Sequence, residues 1–183
     1  MNAQERLAQV ASVVNGSFGN GEFQSIFEKP PVSVIKESTS NNVSFNVMPN
    51  SEVEEKLHVK EYRLWDNGIE AIFDRSFQTT MDKSPSHLTF ITALIHMQKM
   101  LYVYMCYSQN IEYDPFKKEK LKVWPTILSI DMPKLVTKSN NISHKMWIKD
   151  VSPMIKPNYY LVTADTVIDD DVFINGQAVV IKL

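Results

Sequence analysis

SPSHLTFITALIHMQKMLYVYMCYS, residues 84–108, is the stretch whose reading decides the fold. Pro85 disfavours helix immediately before itself, and a following Ser can cap a helix start, so a long helix is expected from the Ser86–His87 entry to about Ser108. No other segment carries a helical signal of this length. It is apolar on nearly all sides, as a helix enclosed by other structure must be. His87 to Tyr107 is also long enough to span a bilayer, but His96, Gln98 and Lys99 fall at its centre, where polar groups are most costly in lipid. A helix buried in protein is therefore expected, with no membrane span.

Strand signals lie on both sides of it. Upstream, His58–Trp65 and Ile69–Phe77 are rich in β-formers and flank Asp66-Asn67-Gly68, residue types that supply the positive φ of a tight hairpin. Downstream, β-rich stretches occupy Lys122–Val136, Ile142–Val151, Tyr159–Val167 and Val172–Leu183. Pro125 and Pro133 imply bulges or a sheet edge in the first, and Asn175-Gly176 a bulge or bend in the last. Strands gathered around one apolar helix predict an α+β domain with a curved antiparallel sheet over residues 51–183, not alternating βαβ units. Residues 1–50 read as a short helix, Ala3–Asn15, followed by a Pro-, Ser- and Asn-rich arm with at most one or two short strands such as Val43–Val47.

Composition narrows the function. The formal net charge is -2 with no basic block, which argues against nucleic acid as a partner. Lys117, Lys118, Lys120 and Lys122 are interrupted by Glu119 and read as a solvated loop. Cys106 is the only cysteine, so no internal disulfide or cysteine metal cluster is possible and no oxidising compartment is implied. The N-terminus lacks the basic and apolar regions of a secretory signal, and a cytoplasmic location is expected. A phosphate-binding glycine loop, a nucleophile elbow and a zinc-helix histidine pair are all missing, so no metal or cofactor is expected.

The chemistry then centres on the helix. Thr89, Thr92, His96 and Lys99 recur at three- and four-residue steps and share a face, with Gln98 roughly opposite. His87 stands at the helix entry beside Ser86 and Thr89, where unpaired backbone N–H groups can hold a carbonyl or oxyanion and an imidazole can act as donor or base. Met81, Phe90, Met97, Met100 and Met105 offer a flexible apolar lining for a chain-like ligand. Plainer readings stand beside these: His96 and Lys99 as buried polar groups bonded to the sheet or a loop, His87 as a surface or capping residue, and the methionines as core. No Asp or Glu occurs from His87 to Ser108, so water would have to be positioned by amide, hydroxyl or imidazole groups.

Ser84-Pro85-Ser86-His87-Leu88-Thr89, followed by His96-Met97-Gln98-Lys99-Met100-Leu101-Tyr102, resembles the helix entry of the FcoT-type long-chain acyl-CoA thioesterases. That family shows Ser-x-Gly-His-Phe-Asn and then Cys-x-Asn-Gln-Leu-x-Tyr, with its His and Tyr at the spacing of His87 and Tyr102. Two helix Asn positions of the family are Thr89 and Gln98 here, its Gly before the His is Ser86, and its Tyr shortly before the helix is Met81. The resemblance covers roughly residues 53–183. It implies a hotdog fold, a homodimer or higher homo-oligomer, and hydrolysis of acyl-CoA or acyl-carrier-protein thioesters. His87, Thr89 and Gln98 would then be catalytic, with Met81, Ser86, Phe90, Met97, Met100 and Tyr102 around the substrate and the thioester at the N-terminal end of the helix. Two alternatives remain open: a 3-hydroxyacyl-thioester dehydratase, which would need a helix carboxylate, and a non-catalytic acyl-binding hotdog subunit.

Overall fold

The expected hairpin forms the spine of the sheet. In the computed structural model, which describes residues 22–48, 51–81 and 86–183, strand β3 (Ser51–Trp65) turns through Asp66-Asn67 into β4 (Gly68–Thr79). The turn differs from expectation in one respect: neither Asp66 nor Asn67 has positive φ. Gly68 sits in a tight space instead: a Cβ there would lie 3.2 Å from Ile26 and Phe27 side-chain carbons and 3.3 Å from the Met146 carbonyl oxygen, so those neighbours would have to give by a few tenths of an ångström. Positive φ appears at Asp169 and Asp170, in the turn between two later strands.

Upstream of the hairpin lie a short helix, α1 (Glu22–Glu28), and strands β1 (Ser33–Lys36) and β2 (Ser40–Met48). Downstream come the long helix α2 (Phe90–Ser108) and strands β5 (Leu121–Asp131), β6 (Ile142–Pro153), β7 (Tyr159–Ile168) and β8 (Val172–Lys182). The strands form one antiparallel sheet in the order β1-β3-β4-β6-β7-β8-β5. β2 also pairs with β3, alongside Ser51–His58, while β1 takes Glu61–Leu64 of the same strand. A single long helix inserted between a hairpin and the remaining strands of a curled antiparallel sheet fits a hotdog-like fold. The helix expected at Ala3–Asn15 lies outside the described residues.

Alternation explains which side chains meet the helix. Along β3, Val53, Leu57 and Val59 are buried while Glu52, Glu54, Lys56 and His58 are exposed. On β4, Ile69, Ala71 and Phe73 face inward, and on β6, Ile142, Met146 and Ile148 do. These pack with Met97, Met100, Leu101, Val103, Tyr104 and Met105 of α2 in one core. Tyr104 ties the helix to the hairpin by donating from its hydroxyl to the Asp66 carbonyl at 2.6 Å.

β5 carries the bulge expected near Pro125: Thr126 is the extra residue between the Pro125–Ala178 and Ile127–Gln177 pairs. Opposite it, a Cβ on Gly176 would lie 2.2 Å from the Ile127 carbonyl oxygen, so only glycine fits.

The helix starts later than the sequence predicts. Residues 86–89 have no helical assignment, and Thr89, at φ -80° and ψ 149°, is the N-cap. Two backbone bonds hold this approach to the strands and loops: the Leu88 N–H donates to the Val136 carbonyl (2.8 Å) and the Thr89 N–H to the Glu55 carboxylate (3.1 Å). His87 therefore precedes the cap and is not in the first turn. Nor is the helix enclosed on every side: Phe90, Ile95 and Gln98 are exposed.

Candidate functional site

At the helix entry the alternation of β3 places a carboxylate where apolar neighbours are expected. Glu55 is fully buried on the same strand face as Val53 and Leu57. Burying a charge is costly unless it is paired and hydrogen-bonded. Arg75, diagonal to it on β4, donates from Nη1 to Glu55 Oε1 at 3.0 Å, both side chains being inaccessible. Glu55 Oε2 accepts from the Thr89 hydroxyl (2.8 Å) and the Thr89 N–H (3.1 Å). Arg75 Nη2 donates to the Ser86 hydroxyl at 2.7 Å. The Thr89 hydroxyl oxygen in turn accepts from the Thr92 N–H, closing the cap. A carboxylate thus already complements the positive end of the helix dipole. His87 lies beside this network with its ring 6.3 Å from that of Phe77.

Further along α2, the face bearing Ile95, Gln98, Lys99 and Tyr102 borders a cleft of about 950 Å³. Its other walls come from Thr39–Asn41, the Tyr113–Lys117 loop and the start of β5 through Trp124. Phe116 and Trp124 are largely exposed there. Gln98 Nε2 donates to the Val123 carbonyl at 2.7 Å, which fixes the amide and leaves its oxygen free to accept. The Tyr102 hydroxyl accepts from the Lys120 N–H at 3.2 Å.

Behind the cleft wall is a second buried carboxylate. Glu37, whose side chain is 1% exposed, accepts from the Tyr113 hydroxyl (2.7 Å), from the Thr39 hydroxyl, and from Lys99 as an ion pair at 3.9 Å. Lys99 Nζ also donates to Thr39 Oγ1 at 2.8 Å. Burial lowers the pKa of Lys99, opposed by Glu37. Burial, then the neighbouring Glu37 charge, pushes the Tyr62 phenol upward, and its hydroxyl has no hydrogen-bond partner among the described residues.

A third polar group sits in the core. His96 and His144 face each other with Nδ1 atoms 3.1 Å apart, and His144 Nε2 lies 3.2 Å from the Thr166 hydroxyl. His96 Nε2 has no hydrogen-bond partner among the described residues, and its ring meets Phe73 edge-on at 4.7 Å. Burial, reinforced by Lys99, lowers the pKa of His96 to about 3, and burial beside His96 holds His144 well below its ordinary value. Both rings are neutral at pH 7, so one proton is shared between the facing nitrogens. No group of three or more His, Cys, Asp or Glu side chains among the described residues is arranged to hold a metal ion.

The sequence candidates therefore do not converge on one place. Ser86 and Thr89 join the Glu55–Arg75 network, with His87 nearby. Gln98 and Tyr102 line the cleft. Met97, Met100 and Met105 are buried in the core, whereas Phe90 is 53% exposed on the first turn. Met81 follows β4, with its N–H donating to the Thr79 hydroxyl at 3.1 Å. Thr89 and Gln98 are nine residues apart, roughly 13.5 Å along a helix, so within one chain they cannot contact the same carbonyl. Glu55, Arg75 and Glu37 were not among the sequence candidates. For Glu55 a signal existed, the two-residue alternation of the strand from Ser51.

No protein-family profile matches the chain, and no curated protein matches it significantly. Among solved structures it is similar to thioesterase HI1161 from Haemophilus influenzae, at 10% identity over 69% of this chain and 79% of that one, with a TM-score of 0.42. It is also similar to a glutamine-to-alanine variant of thioesterase PA1618 from Pseudomonas aeruginosa, at 8% identity over 68% of this chain and 82% of that one, with a TM-score of 0.40. No helix among the described residues is long and apolar enough to cross a membrane.

Proposed function

We propose that this protein hydrolyses acyl thioesters, with the substrate lying in the cleft along α2. The observation that carries the reading is the cleft itself. Its volume of about 950 Å³ suits an elongated acyl ligand, its walls are apolar at Ile95, Val123 and Trp124, and a fixed amide, Gln98, stands among them. With Nε2 held by Val123, the Gln98 carbonyl oxygen accepts from the attacking water. This reading moves the thioester away from the helix entry, where Glu55 already takes the Thr89 N–H and hydroxyl that a thioester carbonyl would need. Acyl-CoA and acyl-carrier-protein thioesters both remain substrates under it.

The test is thiol release from a panel of acyl-CoA and acyl-pantetheine thioesters. The wild-type protein should turn over at least one class. Gln98→Ala should lower kcat on the order of a hundredfold, as expected for a misplaced nucleophile, while His87→Ala should retain most activity. Loss of activity in His87→Ala with Gln98→Ala unaffected would return the thioester to the helix entry. Absence of turnover across the panel would sink hydrolysis.

A second reading, a non-catalytic acyl-binding protein, is favoured by one observation: the buried Glu55 is fully engaged by Arg75 and Thr89, leaving no carboxylate among the described residues of the helix entry to act as base. Binding of acyl ligands without turnover would support it.

A further inference from the structure

Lys99 has more hydrogen-bond donors than the described residues use. An ammonium carries three N–H donors. Thr39 Oγ1 takes one at 2.8 Å, and Glu37 pairs with the charge at 3.9 Å. No other described residue accepts from it, and the side chain is 20% exposed on the cleft wall. Thr39 also donates to Glu37, so Lys99 is braced against the carboxylate both directly and through that hydroxyl. Tyr113 holds the other carboxylate oxygen, which stops Glu37 from turning away. Beside Thr39, Asn41 lines the same cleft, and its Nδ2 is buried without a hydrogen-bond partner among the described residues. A buried amide donor left unpaired is costly, so this wall has an unmet need for an acceptor.

The charge balance indicates which acceptor. Lys99 and Glu37 neutralise one another, so a full anion gains little net attraction here. A neutral carbonyl oxygen gains a charge-assisted hydrogen bond and brings no repulsion from Glu37.

We propose that Lys99 and Asn41 form a donor site that takes the carbonyl oxygen of an acyl thioester in the cleft, with Glu37 and Thr39 as the residues that position Lys99. This rests on the hydrolase reading and adds its electrophilic residue. When water adds to the carbonyl carbon, the C–O π pair moves onto the oxygen held by Lys99, where the ammonium stabilises the new charge. When that pair returns, the C–S bond breaks and the thiol departs with the proton that the added water loses. Gln98, the residue next to Lys99 on the same cleft, accepts from that water.

The test separates the donor site from turnover. Two uncleavable pantetheine ligands are compared by quenching of tryptophan fluorescence, since Trp124 lines the cleft. One carries a ketone in place of the thioester, and the other is the thioether lacking the oxygen. Wild-type protein should bind the ketone about tenfold more tightly or better, the range for a hydrogen bond to a charged donor. Its bound carbonyl stretch should fall in frequency. In Lys99→Met the two ligands should bind alike and the frequency should return towards that in solvent. Because that variant strands the buried Glu37, the Glu37→Gln/Lys99→Met double variant, which removes both charges, repeats the measurement in a chain without an orphaned carboxylate. Equal affinity of wild type for the two ligands, or a ketone preference that survives in both variants, would overturn the donor site. A ketone preference that depends on Lys99, in a protein that cleaves no thioester, would uphold the donor site and remove the hydrolase reading.

Discussion

Acid should destabilise this protein through His96 and His144. Both imidazoles are held neutral in the fold, His96 at about 3 and His144 well below its ordinary value, against 6.5 for an exposed histidine. Below pH 6.5 the unfolded chain therefore binds protons that the folded chain refuses. Their contribution is complete above pH 6.5 and is lost progressively as pH falls towards the folded values. An imidazole kept neutral in the fold gives a slope of about 1.4 kcal/mol per pH unit below pH 6.5, so His96 alone costs about 2 kcal/mol at pH 5, and His144 adds to the loss in the same direction. A domain of this size is typically stable by about 5–15 kcal/mol, so the loss should be plain in urea denaturation at pH 7.5, 6.5 and 5. Glu61 and Asp74, whose carboxyls are held below their ordinary values, matter only at lower pH. The control is His144→Gln, which removes one titrating ring and should reduce the slope between pH 6.5 and 5. A wild-type stability that stays flat over this interval, or a slope unchanged in His144→Gln, would refute the reasoning.

Glu55→Ala leaves Arg75 buried without its counter-charge and should cost about 3–5 kcal/mol in chemical denaturation, whereas Glu55→Leu with Arg75→Met should recover most of it. If the single and double variants are equally destabilised, the ion pair is not the cause. The protein should self-associate, because β5 is an edge strand with Trp124, Ile127 and Leu128 exposed along it. Light scattering at micromolar concentration should give at least a dimer mass, and a monomer would contradict this.

The hairpin, the long helix and the last four strands were legible because each rests on a local signal: a two-residue connection, one unbroken apolar run, or β-rich stretches parted by turn residues. The pairing of β1 and β2 on the outer edge of β3 was not. Glu52, Glu54, Lys56 and His58 make the start of β3 look like a polar connection, although the intervening residues are buried. The helix start was misplaced for a related reason. Ser86 follows a proline and has the chemistry of a cap, but the bond that decides the matter comes from Glu55, thirty-four positions away. Lys99 was legible as a polar residue on an apolar helix. Its partners Glu37 and Thr39 are about sixty positions distant, and no spacing in the chain relates them.

The close approach of Gly176 to the Ile127 carbonyl acts as a detent for the edge strand. Sliding β5 by one residue against β8 would bring Asn175 or Gln177, each with a Cβ, to the place where only a bare backbone clears the Ile127 carbonyl. Neighbouring alignments are therefore closed by steric exclusion rather than by weak pairing preferences. Leu121, Val123 and Trp124 sit on the same strand a few residues ahead of this stop. The β5 wall of the cleft thus has one setting against α2, and a single residue without a side chain, on the neighbouring strand, is the gauge that fixes it.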